Sequence, residues 1–282
     1  MNSPDFLIIG AQKCGTSWLH RQLRQHPGVF MPADKDAPFF FNDAQDAQGF
    51  LKRFENAPVG SLVGDACASY FWTRNTGPYP PMFNQDISSA IRQYLGNNLK
   101  LIVMLKDPVQ RSVSAYLHHI AHGSLDISCS ILDASKELGI ISLSRYSQHL
   151  KHWCEDYAND RLLILPAPDS LNGEFILNKT GEFLDLSVDF QFQGTEEKVF
   201  EGLERKQLEG GIWVAIPQKN LLPDAKTSDF PSLEIDGKRF IRLIQAYELE
   251  ALANDLFEDL ALFRGLFGVY ASHDAAHRTS VS

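Results

Sequence analysis

Apolar positions along the chain fall into short continuous runs separated by segments of helical spacing. Phe6-Leu7-Ile8-Ile9-Gly10 is the pattern of a short buried strand, an apolar run closed by glycine. From Ser17 to His26, Trp18, Leu19 and Leu23 recur at helical spacing, and Pro27-Gly28 stops the helix. Leu99 to Leu105 is the clearest strand; Pro108 lies just beyond it, and Val109 to His119 reads as a helix. An amphipathic helix is expected around Tyr146 to Tyr157, a third strand at Leu162 to Leu165, and a helix near Phe175 to Leu184. Phe240 to Phe257 predicts a last helix, with Ile241, Leu243, Ile244, Tyr247, Leu249 and Leu252 available for packing. Residues 187–237 are more polar, and residues 271–282 are small, polar and patternless, which predicts a flexible C-terminal tail. Strands alternating with helices predict an α/β fold around a mostly parallel sheet. No repeat, low-complexity linker or composition shift divides residues 1–270, which are expected to form a single domain.

The 282 residues are 44% hydrophobic and 22% charged, ordinary for a globular protein. No apolar run reaches the ~18 residues of a membrane span. The first five residues lack a basic region, and the apolar stretch after them is too short for a signal core. Cys14, Cys67, Cys129 and Cys154 have no paired spacing, so neither a disulfide framework nor a metal site is read from them. The expected compartment is a reducing cytoplasm. The net charge of −9 argues against nucleic acid or a polyanionic glycan as the main partner, since both require a broad basic face. An anionic cofactor still fits if a few cations and backbone N–H groups converge locally.

Gly10 to Ser17 supplies such a place. It lies between a strand and a helix, where glycines turn N–H groups toward an anion and a helix N-terminus adds its positive end. Gly10 and Gly15 have the spacing of the NTPase phosphate loop, but Thr16 stands where that loop needs lysine. The lysine is Lys13, inside the turn. The bland alternative is a tight strand-to-helix turn with an exposed lysine. A second anion position is the stretch Val103 to Tyr116, where a strand delivers Lys106 at its carboxyl end and a helix then presents Ser114.

Ile8 to Leu19 resembles the 5′-phosphosulfate loop of PAPS-dependent sulfotransferases, of the bacterial and glycan-type branch. The resemblance implies a P-loop-NTPase-like three-layer fold, with a central sheet flanked by helices. It also implies that Lys13 contacts the phosphosulfate, with Gln12, Cys14, Gly15, Thr16, Ser17 and Trp18 around it. Val103 to Tyr116 resembles the family's 3′-phosphate motif, which assigns Lys106 and Ser114 to that phosphate. Lys106 replaces the usual arginine, keeping the charge without the bidentate fork. Arg111 is expected to salt-bridge or support the fold. Val29 to Phe40 resembles the family's Lys-Glu-x-His-Phe-Phe stretch, with Asp36 at the position of the general base, Lys35 beside it and Pro38 where histidine is common. Asp65, His118, His119 and His122 are the alternative bases, the histidines each with a structural or surface reading beside it. Phe39, Phe40, Phe41, Tyr70, Phe71 and Trp72 are expected mostly in the core, a minority lining an acceptor pocket. Tyr146 to Trp153 matches a family helix, and Lys238 and Arg239 stand where a basic loop would close over the nucleotide.

The resulting expectation is sulfuryl transfer from PAPS, leaving PAP, to a hydroxyl of a small-molecule acceptor, a secondary metabolite or cationic alkaloid. No metal is expected, and the chain is expected to be a monomer or homodimer. A carbohydrate or lipid hydroxyl is the alternative acceptor. A nucleotide kinase or NTPase, with Asp107 as its strand-end acid, is a competing enzyme. A catalytically inactive PAP-binding scaffold is the alternative outside enzymes.

Overall fold

The computed structural model describes residues 3–37, 39–41, 47–73, 86–168, 173–187, 190–196, 202–217, 227 and 230–278. Five strands, β1 (Phe6–Gly10), β2 (Val29–Phe30), β3 (Leu62–Ala66), β4 (Lys100–Leu105) and β5 (Leu162–Pro166), form a sheet of order β2-β3-β1-β4-β5. Every pairing in it is parallel. Parallel strands at the centre of such a sheet are covered on both faces, which is why β1 and β4 read as unbroken apolar runs rather than alternating ones. All five residues of β1 are buried.

Helices α1 (Thr16–Leu23), α2 (Ala47–Lys52), α3 (Ile87–Leu95), α4 (Pro108–Ala121), α5 (Ile131–Leu138), α6 (Tyr146–Asp156) and α7 (Gly173–Leu184) follow in chain order among these strands. Asp107 caps α4, its carboxylate accepting the Gln110 N–H at 3.0 Å, and Pro108 occupies the first turn, where its missing N–H costs nothing. The chain leaves β1, fills the β3 side, and then crosses to β4. The order therefore reverses around β1, and the carboxyl ends of β1, β3 and β4 lie along one edge of the sheet, where ligands of open parallel sheets bind.

The expected helix over Phe240–Phe257 is corrected. Lys238–Gln245 is a strand, β9, followed by α8 (Ala246–Asp255) and α9 (Phe257–Arg278). A short apolar run such as Phe240-Ile241-Arg242-Leu243-Ile244 does not distinguish strand from helix by periodicity alone. The true start is marked by a capping box, in which Gln245 and Glu248 satisfy each other's backbone N–H groups. Tyr247, expected in the core, is 65% exposed. β9 joins β6 (Glu204–Leu208), β7 (Gly211–Ala215) and β8 (Ser232–Ile235) in an antiparallel sheet of order β6-β7-β9-β8, within and beside the polar stretch that carried no expectation. Ile212, Val214, Ile241, Leu243 and Ile244 of this sheet share a core with Val113, Tyr116, Leu117 and Ile120 of α4. α4 is thus held from behind by the second sheet. The backbone of α9 runs through Arg278, into the segment read as a tail; residues 279–282 lie outside the described residues.

His149 on α6 is fully buried and links distant segments. Its Nδ1 accepts the Thr73 N–H at 3.2 Å, so the ring proton sits on Nε2 and is donated to the Ser142 carbonyl at 3.0 Å. Burial is the first cause that depresses its pKa, to about 3. An imidazole of depressed folded pKa stabilises the protein above its unfolded value near 6.5, and that contribution is lost as pH falls toward 3. His149→Gln is expected to flatten the decline of the urea midpoint between pH 6.5 and 4; an unchanged slope would contradict the assignment.

Candidate functional site

The turn after β1 is built to present backbone and one cation. Lys13 has φ 67°, a left-handed conformation uncommon for a side chain of its size, and Gly15 has φ 94° at the N-cap of α1. Glycine brings no capping oxygen, so the first-turn N–H groups of α1 have no side-chain cap and face an incoming anion. A Cβ on Gly15 would lie 2.4 Å from Cδ of Pro168, just beyond β5. The turn is tied to β4 by the Ala11 N–H, which donates to the Met104 carbonyl at 2.8 Å. Tyr146 of α6 makes a second tie: its hydroxyl donates to the Lys106 carbonyl at 3.0 Å and lies 3.7 Å from Cys14 Sγ. The loops after β1 and β4 therefore hold a common register.

Four cations gather here. Burial lowers the pKa of Lys13, and the charges of Lys106, Arg111 and Lys35 lower it further. Arg111 is fully buried: Nε donates to Ser144 Oγ at 2.6 Å, Nη2 to the Ile140 carbonyl, and Nη1 has no hydrogen-bond partner. Among the described residues no carboxylate pairs with Arg111, so of the two expected roles it takes fold support and not the salt bridge. Ser114 and His118 are four residues apart on α4 and share a face. His118 Nδ1 lies 3.3 Å from Lys13 Nζ. Burial, followed by the charge of Lys13, pushes the His118 pKa down to about 4. The sequence reading placed His118 only among alternative bases; its spacing from Ser114 was the signal for its position.

Asp36 sits over the end of β3 with φ 62°. Its N–H donates to the Ala66 carbonyl at 2.8 Å and its Oδ1 accepts the Ala68 N–H at 2.9 Å. Oδ2 contacts the Lys35 ammonium, and the side chain is 46% exposed. Asp65 is wholly buried on β3: Oδ1 accepts from Arg53 at 3.0 Å, and Arg53 also holds Asp34 at 2.7 Å. Burial raises the Asp65 pKa to about 6 despite Arg53. The guanidinium thus fastens the 34–36 loop to β3, and Asp65 is enclosed where an acceptor hydroxyl does not reach. Pro38, also singled out in this stretch, lies outside the described residues, as does the side chain of Phe41.

Other expected ligands are placed differently. Trp18 is buried, and its indole N–H is used by the Thr195 carbonyl at 2.9 Å. Cys14 and Thr16 are buried, and the Cys14 N–H donates to the Ala11 carbonyl at 3.2 Å, while Gln12 and Ser17 are partly exposed. Lys238 and Arg239 lie on the second sheet after the Asp236-Gly237 turn, Lys238 on Glu204 at 2.7 Å and Arg239 on the Thr227 carbonyl at 3.2 Å. Neither is among the cations that act most on Lys13. Asp86, His152 and Asp156 bring ligand-type atoms within 4.8 Å of one another, a grouping that spacing did not reveal. They are engaged with Ser88, Ser89 and Arg92 in capping α3.

A family model described as a sulfotransferase domain matches residues 3–167, from β1 through β5 and across both anion loops. The chain belongs to the sulfotransferase domain family. That family draws its sulfuryl group from PAPS. A bifunctional heparan sulfate N-deacetylase/N-sulfotransferase 1 of Caenorhabditis elegans is 30% identical over 214 residues, 67% of this chain and 23% of that protein. Human carbohydrate sulfotransferase 15 is 24% identical over 249 residues, covering 65% of this chain and 44% of that one. The chain thus spans less than half the length of these relatives. The crystal structure of a sulfotransferase from Alicyclobacillus acidocaldarius has the same fold, with a TM-score of 0.59 and 21% identity over 71% of this chain and 87% of that one. Among the described residues no helix is long and apolar enough to cross a membrane. The second sheet lies beyond the family match.

Gly15→Ala combines the clash with Pro168 and a left-handed φ, a cost of about 1–3 kcal/mol. It is expected to lower the melting temperature by several degrees and to weaken PAP binding at least ~10-fold. Calorimetry and thermal melts check this; wild-type binding in the variant would contradict the role of the turn.

Proposed function

We propose that this chain transfers a sulfuryl group from PAPS to an acceptor hydroxyl, holding the donor at both phosphate ends. The observation that carries this reading is the pair of loops at the ends of β1 and β4, tied by Ala11 and Tyr146, which keep Lys106 near enough for its charge to act on Lys13. Lys106 and Ser114 hold the 3′-phosphate. The N-terminal N–H groups of α1 and the Lys13 ammonium face the phosphosulfate. The acceptor oxygen forms the new S–O bond in line as the bond from sulfur to the bridging oxygen breaks, and the electron pair stays on the phosphate of PAP. Lys13 stabilises that growing charge in a site already organised for it. Asp36, held by the Ala68 N–H, takes the acceptor's proton.

The net charge of −9 favours an uncharged or cationic acceptor, a hydroxylated small molecule, over a polyanionic chain. The names of the relatives, which mention heparan sulfate and carbohydrate, support a sugar hydroxyl as the second reading. An NTPase is disfavoured by Thr16 at the lysine position and by Asp107, whose carboxylate caps α4.

Labelled PAPS is to be incubated with a panel of alcohol, phenol, amine and sugar acceptors. Lys13→Ala is expected to lose at least ~100-fold in kcat with its fold intact, and Asp36→Ala to lose ~10²–10⁴-fold. Full activity in Lys13→Ala would overturn the mechanism; full activity in Asp36→Ala would overturn only the base. PAP binding without turnover on any acceptor would favour the inactive scaffold, and tighter binding of ATP–magnesium than of PAP would favour the NTPase.

A further inference from the structure

A catalytic lysine must be aimed, and Lys13 has none of the usual means. Its side chain has four rotatable bonds and about 2 kcal/mol of rotamer entropy to lose. Among the described residues no carboxylate pairs with it, and its charged neighbours are mainly cations. A carboxylate partner would fix the ammonium but cancel much of the charge that the leaving phosphate requires. A neutral hydrogen-bond acceptor fixes it with the charge intact.

His118 meets that requirement. Lys13 Nζ carries only donors, so a 3.3 Å contact with Nδ1 places the lone pair on Nδ1 and the ring proton on Nε2. The ring is packed against His122, with centroids 4.0 Å apart, and His122 Nδ1 donates in turn to the His118 carbonyl at 2.8 Å. His119 lies across the edge at 5.9 Å. These neighbours and Lys13 itself all oppose a positive charge on His118.

We propose that His118 is a positioning residue for sulfuryl transfer: its neutral imidazole accepts one N–H of Lys13 and leaves the other two aimed at the bridging oxygen of the donor. The left-handed backbone at Lys13 and the helical step from Ser114 to His118 bring the two side chains together from the turn after β1 and from α4. The inference rests on the reading of Lys13 as the residue that stabilises the leaving phosphate.

The test compares His118→Ala, His118→Asn, His118→Gln, Lys13→Ala and the double variant Lys13→Ala/His118→Ala. Turnover is read with the acceptor found in the panel and, without any acceptor, as labelled sulfate released from PAPS to water. Misplacing the ammonium is expected to lower kcat about 10- to 100-fold in His118→Ala, with the KM for PAPS and the melting temperature nearly unchanged. The Asn amide oxygen occupies the place of Nδ1 and is expected to restore most of the rate; Gln puts its polar atoms near Nε2 and is not. In the Lys13→Ala background, His118→Ala is expected to have no further effect. A wild-type kcat in His118→Ala, equal rescue by Gln and Asn, or full additivity with Lys13→Ala would overturn the inference. Loss in Lys13→Ala with full activity in His118→Ala would overturn it alone; full activity in Lys13→Ala would overturn the underlying reading as well.

Discussion

A lysine that no carboxylate among the described residues pairs with has to be held beside other cations, and the sheet is arranged around that constraint. Lys106, Arg111 and Lys35 all act on Lys13 near the carboxyl ends of β1, β3 and β4, in a chain whose net charge is −9. They are kept together by backbone that has little freedom: two apolar parallel strands at the centre of a sheet, a turn hydrogen-bonded from Ala11 to Met104, and a tyrosine that joins Cys14 to Lys106. Arg111 carries the arrangement furthest, a guanidinium wholly inside the protein whose partners are a serine and a backbone carbonyl. Such a site is complete only with an anion in it.

Much of this was legible in the sequence because it depends on local pattern. β1 and β4 are buried on both faces and so are written as uninterrupted apolar runs; the turn and the strand-end lysine follow directly from them. What escaped depends on contacts between distant segments. β9 reads as helix in the sequence because Phe240 to Ile244 is too short for its period to be decisive, and its partners β7 and β8 lie in a polar stretch with one strongly apolar strand. Lys238 and Arg239, read as a basic loop over the nucleotide from their resemblance alone, lie on a hairpin through pairing with β8. His118 stood as one histidine among three, and its four-residue step from Ser114 is the one local hint that it meets Lys13 across 105 residues.

The two carboxylates near the acceptor side illustrate how environment divides residues of one type. Asp65 is enclosed and committed to Arg53, and through it to Asp34, so its work is to fasten a loop. Asp36 is half-exposed, with one oxygen on a backbone N–H and the other beside an ammonium. The same clamp that buries the first carboxylate delivers the second to the rim. The loop that carries Asp36 is thereby fastened to β3, which neither anion motif includes.

The central claim is that one crevice holds phosphate at two separate ends, and the 3′-phosphate tests it most directly. PAP and adenosine 5′-monophosphate differ by that group alone, so calorimetric titration of both into the wild-type protein and a Lys106→Ala/Ser114→Ala variant isolates its partners. The account predicts at least ~10-fold tighter binding of PAP to the wild type, the scale of one charge-assisted contact, and nearly equal binding of the two nucleotides to the variant. Equal affinities in the wild type, or a preference for PAP that survives in the variant, would contradict it.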